Sequence, residues 1–140
     1  GGEGQQHSIE EFYQAKLNFV MAELKLTESD SLRFAPLYKE YQQAKGELMK
    51  SAGKGRAIMR KMRKQEAISE AEYKEATQGE LEYKLKDAEL NKAWYEKFGE
   101  VLAPQQLYTL LRTEERFATE MMRKRGRPNH DNKRQGKPQK

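Results

Sequence analysis

Met49, Ile58, Met59 and Met62 are interleaved with Lys50, Lys54, Arg56, Arg60, Lys61, Arg63 and Lys64, and no acid falls between positions 50 and 64. Methionine is flexible and polarisable, so it packs against many shapes. Long basic side chains draw acidic partners in quickly and reversibly. The chemistry on offer is reversible, amphiphilic binding. Met49, Met59 and Met62 would meet apolar groups, and Arg56, Arg60, Lys61 and Arg63 would supply attraction. The same residues also fit plainer roles. Two Met at a three-residue step suit a core stripe, and a basic run suits a solvated helix face. Both readings stay open at this level.

Covalent and metal chemistry find less to work with. The chain has no Cys, hence no thiol nucleophile, no disulfide and no thiolate ligand. Its two histidines, His7 and His130, stand near the ends. Glu66, Glu70, Glu72 and Glu75 are close in sequence, but such carboxylates on helices usually face solvent and pair with Lys. No GxxxxGK[ST] loop is present, and Gly53-Lys54-Gly55 is too short to cradle a phosphate. The expectation is a protein that is not an enzyme, with no catalytic residues, no metal site and no cofactor.

The elements that must carry the Met and Arg residues follow from composition and helix signals. With 140 residues the chain is one domain in size. Apolar residues make up 36% and charged residues 35%, against about 45–50% and 25% in ordinary domains. That leaves too little for a round core and favours an elongated helical fold that completes itself by dimerising. No apolar run approaches the ~20 residues of a membrane span. Of the net charge of +5, eight Lys/Arg against the single Asp131 place +7 in residues 123–140 and leave −2 on the rest. Residues 126–140 contain Gly and Pro and no large apolar side chain, so a disordered basic tail is expected there. Residues 1–7 are expected to be disordered as well, and the opening Gly1-Gly2-Glu3-Gly4 reads as a processed terminus.

Between them, residues 8–125 read as all-α, in four helices. Ser8 and Glu11 form a capping box before Ile9, Phe12, Tyr13, Leu17, Val20, Met21 and Leu24. Thr27, with Asp30 in the reciprocal position, caps a second helix with the stripe Leu37, Tyr38, Tyr41, Leu48 and Ala52. Pro36 kinks its first turns or delays its start. Gly53 and Gly55 weaken it, and the helix is expected to run through them into the Met/Arg block with a bend. Ser69 and Glu72 box the start of a third helix with stripe residues Leu81, Leu85, Ala88, Tyr95 and Phe98, and Trp94 alongside. Trp94, Tyr95 and Phe98 suit either a hairpin or dimer core or an aromatic binding patch. Pro104, in the first helical position, starts a fourth helix with Leu107, Leu110, Leu111, Phe117, Ala118 and Met121.

Two helix starts are alike and 76 residues apart: Leu26-Thr27-Glu28-Ser29-Asp30 and Leu102-Ala103-Pro104-Gln105-Gln106. With Leu24-Lys25-Leu26-Thr27 and Phe34-Ala35-Pro36-Leu37-Tyr38, in the same helix order, the chain from about Ile9 to Arg125 resembles the LTxxQ (Spy/CpxP-like) family of periplasmic proteins, in its Bacteroides-type branch. Asp30 stands where that family has Gln, and Ala103 where it has Thr. Each turn thus keeps half of a reciprocal cap, carried by Leu26, Thr27 and Asp30 in one and Leu102, Ala103, Pro104 and Gln106 in the other.

The resemblance implies an elongated four-helix hairpin-type fold, a homodimer, and a periplasmic location with the signal peptide removed. It implies an ATP-independent chaperone or envelope-stress adaptor whose partners are unfolded or stress-related envelope proteins. A regulatory protein that binds one envelope signalling partner is the nearest alternative. Composition adds another, nucleic-acid or anionic-surface binding through the basic tail. The slightly acidic remainder and the lack of tail aromatics count against nucleic acid, while contact of the tail with a membrane surface stays open.

Overall fold

A computed structural model of the chain describes residues 2–126, with side chains for 8–120 and Arg123. It is all-helical: α1 Gly2–Leu24, α2 Glu28–Lys50, α3 Gly53–Lys64, α4 Glu70–Phe98 and α5 Pro104–Gly126, with no strand among the described residues. Helix α1 packs on α2 and α5, and α4 packs on α2 and α3.

The helix ends follow local chemistry. Thr27 Oγ1 accepts the Asp30 N–H at 3.1 Å, capping α2. Ser69 and Glu72 make both halves of a capping box at the start of α4, at 3.1 and 2.8 Å. Pro104 opens α5 as its spacing predicts. Helices α1 and α3 end in the same way. Lys25 and Gln65 take left-handed φ values of 53° and 58°, and the next N–H reaches back five residues, Leu26 to Met21 and Glu66 to Lys61. That closes the orphan carbonyls without glycine.

Several expectations need correction. The described residues form five helices, not four. Helix α2 stops at Lys50 because Ser51 and Ala52 bond the carbonyls three residues back, at 2.9 and 3.0 Å, and Ser51 Oγ donates to Leu48 O at 2.6 Å. That tightened turn breaks the run, and α3 restarts at Gly53. Helix α1 begins at Gly2, within the stretch expected to be disordered, and so starts ahead of the expected Ser8–Glu11 cap. Pro36 lies inside α2 and neither delays nor ends it. The expected basic tail lies outside the described residues, apart from Gly126 and the last turn of α5.

The core is small. Leu17, Val20 and Leu24 of α1, Phe34, Tyr38 and Tyr41 of α2, Phe98 of α4, Leu102 of the following turn and Leu110 of α5 are its buried apolar side chains. Phe34, Tyr38, Tyr41, Trp94 and Tyr95 surround Phe98, with ring centroids 5.3 to 6.3 Å away. Trp94, Tyr95 and Phe98 therefore belong to the core.

The stripe expected on α4 holds at Tyr95 and Phe98 but is displaced in the first part of the helix. Leu81 and Leu85 are 63% and 61% exposed, and Ala88 is exposed too. The face turned to α2 and α3 carries Tyr83, Asp87, Leu90 and Asn91 instead. Asp87 takes the Lys45 ammonium at 2.5 Å, and Asn91 accepts the Tyr41 hydroxyl at 2.7 Å. Polar residues occupy inward positions because α2 presents polar partners there. A reading of apolar period alone finds the inward face at Tyr95 and Phe98 and misses it at Tyr83, Asp87 and Asn91.

Candidate binding surface

Helix α3 has six Lys/Arg, no acid and no fully buried residue. Ala57, Ile58 and Lys61 are its half-buried side chains. Two ion pairs fasten it to α4, Lys61 to Glu72 at 2.5 Å and Lys54 to Glu75 at 3.7 Å. Opposite α4 the helix faces outward. At about 100° per residue, Gly55, Met59 and Met62 form one strip, and Arg56, Arg60 and Arg63 form the strip beside it. Met59 is 58% and Met62 55% exposed, and Met49, on the last turn of α2, is 52% exposed.

The residues singled out from sequence separate into three groups. Met49, Met59, Met62, Arg60 and Arg63 face outward. Arg56 is exposed but its guanidinium donates to Met49 O at 3.1 Å, so it also ties α3 to the end of α2. Lys61 turns toward α4 and is held by Glu72, which takes it out of the outward set. The core reading of Met59 and Met62 gives way to exposure, because the inward face of α3 is filled by the two residues before Met59 and by Lys61.

The turn residues are structural. Leu102 is buried, and Leu26 packs against the core. Thr27 accepts from Asp30 N–H, whereas at the second turn Gln106 Oε1 accepts from Ala103 N–H at 2.9 Å. Each turn therefore makes one half of a reciprocal cap, the half its residues allow. The Asp30 carboxylate instead lies 3.7 Å from Arg33. The Gln106 amide N–H donates to Leu24 O at 3.4 Å and joins the second turn to the end of α1.

Sequence reasoning passed over one polar centre. The Tyr38 hydroxyl donates to Glu114, whose other oxygen lies 3.1 Å from Lys16 Nζ. The three groups link α1, α2 and α5. Burial, and then the adjacent Glu114 carboxylate, push the Tyr38 hydroxyl well above the usual phenol range. Burial does the same for Tyr41 and Tyr95. These tyrosines stay neutral across the working pH range; the Tyr38 and Tyr41 hydroxyls donate to Glu114 and Asn91, whereas the buried Tyr95 hydroxyl has no partner among the described residues. The sequence signal was slight: Lys16 sits beside Leu17, and Glu114 lies between Leu110 and Phe117.

At the α3–α4 contact, the Lys61 hydrogen bond and then the Ser69 N–H lower the Glu72 carboxyl from 4.5 to about 2. Lys61 is raised in turn, chiefly by its bond to Glu72. A carboxyl lowered in the folded state adds stability above its unfolded pKa and loses it as pH falls toward the folded value. The Glu72 resonance should therefore titrate near 2 by NMR and move back toward 4.5 in Lys61→Met. Thermal unfolding should show wild type ahead of Glu72→Gln at pH above 4.5, with the gap closing as pH falls to 2. A gap unchanged over that range would contradict the assignment.

Among the described residues no group of three or more His, Asp or Glu could hold a metal ion, and no helix is long and apolar enough to cross a membrane. Comparison with protein-family models, with curated proteins and with solved structures gave no match to this chain.

Proposed function

We propose that this protein binds unfolded or partly folded polypeptides without ATP, as a periplasmic chaperone or envelope-stress adaptor of the LTxxQ kind. The observation that carries the reading is the outward face of α3, where Met59 and Met62 lie beside Arg56, Arg60 and Arg63 with no acid on the helix. Such a face meets apolar client groups through adaptable side chains and holds acidic ones loosely. Exposed Met49 extends the apolar part. In the same proposal the fold is an elongated hairpin-type homodimer. Leu81 and Leu85, exposed at adjacent turns of α4, support a helix-to-helix contact there.

The test is aggregation of a chemically denatured client diluted into buffer with a few-fold excess of the protein. Suppression is expected at low salt, weaker at high salt. Met49→Ser, Met59→Ser and Met62→Ser together should weaken client binding about tenfold, from ~0.5 kcal/mol of lost contact per side chain. No suppression at either salt would remove the chaperone reading. Capture of one defined envelope protein without general client binding would favour the regulatory one.

A further inference from the structure

We propose that Glu72 and Glu75 of α4 hold α3 in an autoinhibited position. They fill the places that carboxylates of an acidic, partly apolar polypeptide take on binding, so that binding lifts α3 off α4 and uncovers more apolar surface. The inference rests on the reading of α3 as a binding helix and adds how that helix is regulated.

Little else closes the hairpin of α3 and the first half of α4. No residue from Gly53 to Glu89 belongs to the buried core. The inward apolar side chains are Ala57 and Ile58 on α3 and Ala76 and Tyr83 on α4, all only half-buried. An element with so few buried apolar contacts opens at low local cost. The charged contacts are Lys61 to Glu72 at 2.5 Å and Lys54 to Glu75 at 3.7 Å.

Both pairs are within reach of solvent. The Lys61 and Glu72 side chains are 35% and 38% exposed, and those of Lys54 and Glu75 are 74% and 62% exposed. Ion pairs this exposed are individually weak, and exchanging one carboxylate for another buries nothing new. Arg60, Arg63 and Lys64 are exposed and make no ion pair among the described residues. They offer a first hold to a polypeptide with several acids. Once held, its remaining carboxylates compete for Lys61 and Lys54 at high effective concentration.

The helix is placed to pivot about its N-terminal end. Ser51 and Ala52 form the tightened turn after α2, and Arg56 ties that end to Met49 O at 3.1 Å. A Cβ at Gly53 or Gly55 would meet nothing within 4 Å, so no close packing fixes the backbone there. At the far end residues 65–69 join α3 to α4. Five residues span up to about 16 Å, and only Ile68 among them is half-buried. The far end therefore has slack, and Lys61–Glu72 is the pair that keeps it down. Glu72 accepts the Ser69 N–H with its other oxygen at 2.8 Å, so α4 keeps its cap when Lys61 leaves. Lifting that end brings Ala57 and Ile58 into the open beside Met59 and Met62 and bares Ala76 and Tyr83. The apolar strip widens for the apolar groups of the bound polypeptide.

The chain has no Cys, so single cysteines report the two faces of α3 by thiol labelling of the full-length protein. Ala57→Cys reports the inward face and Met59→Cys the outward one. The probe is a short peptide of Glu, Ser and Leu, with a control in which Gln replaces Glu. Without peptide, Glu72→Gln with Glu75→Gln should speed labelling of Ala57→Cys at least about threefold. Gln at position 72 can still accept the cap bond, so helix content by circular dichroism should stay unchanged. Saturating acidic peptide should speed Ala57→Cys labelling by a similar factor and slow Met59→Cys labelling, and the Gln control should do neither. Fast labelling accompanied by lost helix content would mean unfolding and overturn the proposal. So would an unchanged Ala57→Cys rate in the Gln variant. A peptide that slows Met59→Cys without speeding Ala57→Cys would overturn the regulation and leave binding at α3 standing. A peptide that changes neither rate would remove binding at α3 and the regulation with it.

Discussion

Replacing Phe98 by Ala is expected to lower the unfolding free energy by about 3–5 kcal/mol, enough to leave little cooperative structure at room temperature. Phe98 is fully buried, and its ring is ringed by Phe34, Tyr38, Tyr41, Trp94 and Tyr95. Removing it opens a cavity at the one place where α2 and α4 share a well-packed apolar centre. A domain of this size holds only about 5–15 kcal/mol in total, and here few buried side chains supply it. Phe98→Leu, which keeps most of the volume, should cost less than about 1.5 kcal/mol. Leu85→Ala, on the exposed face of α4, should stay within about 0.5 kcal/mol in the isolated chain. Urea unfolding followed by circular dichroism distinguishes them. A Phe98→Ala cost below about 1 kcal/mol would mean that the aromatic cluster is not the centre of stability.

The second large effect is expected at the polar centre. Glu114→Ala should cost about 3 kcal/mol, because it strands two partners. The Lys16–Glu114 pair is mostly buried, with side chains 17% and 13% exposed. Tyr38, which donates to the same carboxylate, is fully buried. Loss of the carboxylate leaves an ammonium and a hydroxyl in surroundings that water scarcely reaches. The combined variant Lys16→Met, Tyr38→Phe, Glu114→Leu removes donor, acceptor and charge together. It should recover most of that loss, because a satisfied buried pair and an apolar replacement are often near equal. If the triple variant proves as unstable as Glu114→Ala alone, the damage lies in packing and not in stranded polar groups.

Three of the helix starts were legible in the sequence because their signals are local, whereas the expected Ser8–Glu11 box lies inside α1 and starts no helix. Thr27, the Ser69–Glu72 box and Pro104 each act through backbone groups within three or four residues, so spacing alone states the bond. The division of labour between the two turns was legible for the same reason: Thr27 has the hydroxyl that Ala103 lacks, and Gln106 has the reach that lets its side chain return to the cap. The break at Ser51–Ala52 was not legible. Two glycines soften a helix wherever they stand, and which peptide gives way depends on how α3 must lie against α4. The inward face of the first part of α4 was hidden as well, since Asp87 and Asn91 look like surface residues until Lys45 and Tyr41 are placed opposite them.

Composition and local spacing alone determined an all-helical chain with a meagre core, the starts of α2, α4 and α5, and one segment that mixes methionine with unbalanced positive charge. Those properties depend on residue type and on neighbours within a turn or two. Tertiary structure decided which side of each helix faces inward. It turned Met59 and Met62 to solvent, drew Lys61 away to Glu72, exposed Leu81 and Leu85, and gathered Lys16, Tyr38 and Glu114 from three helices. The rotation of a helix about its axis is set by the partners across the contact, and those lie tens of residues away in the chain.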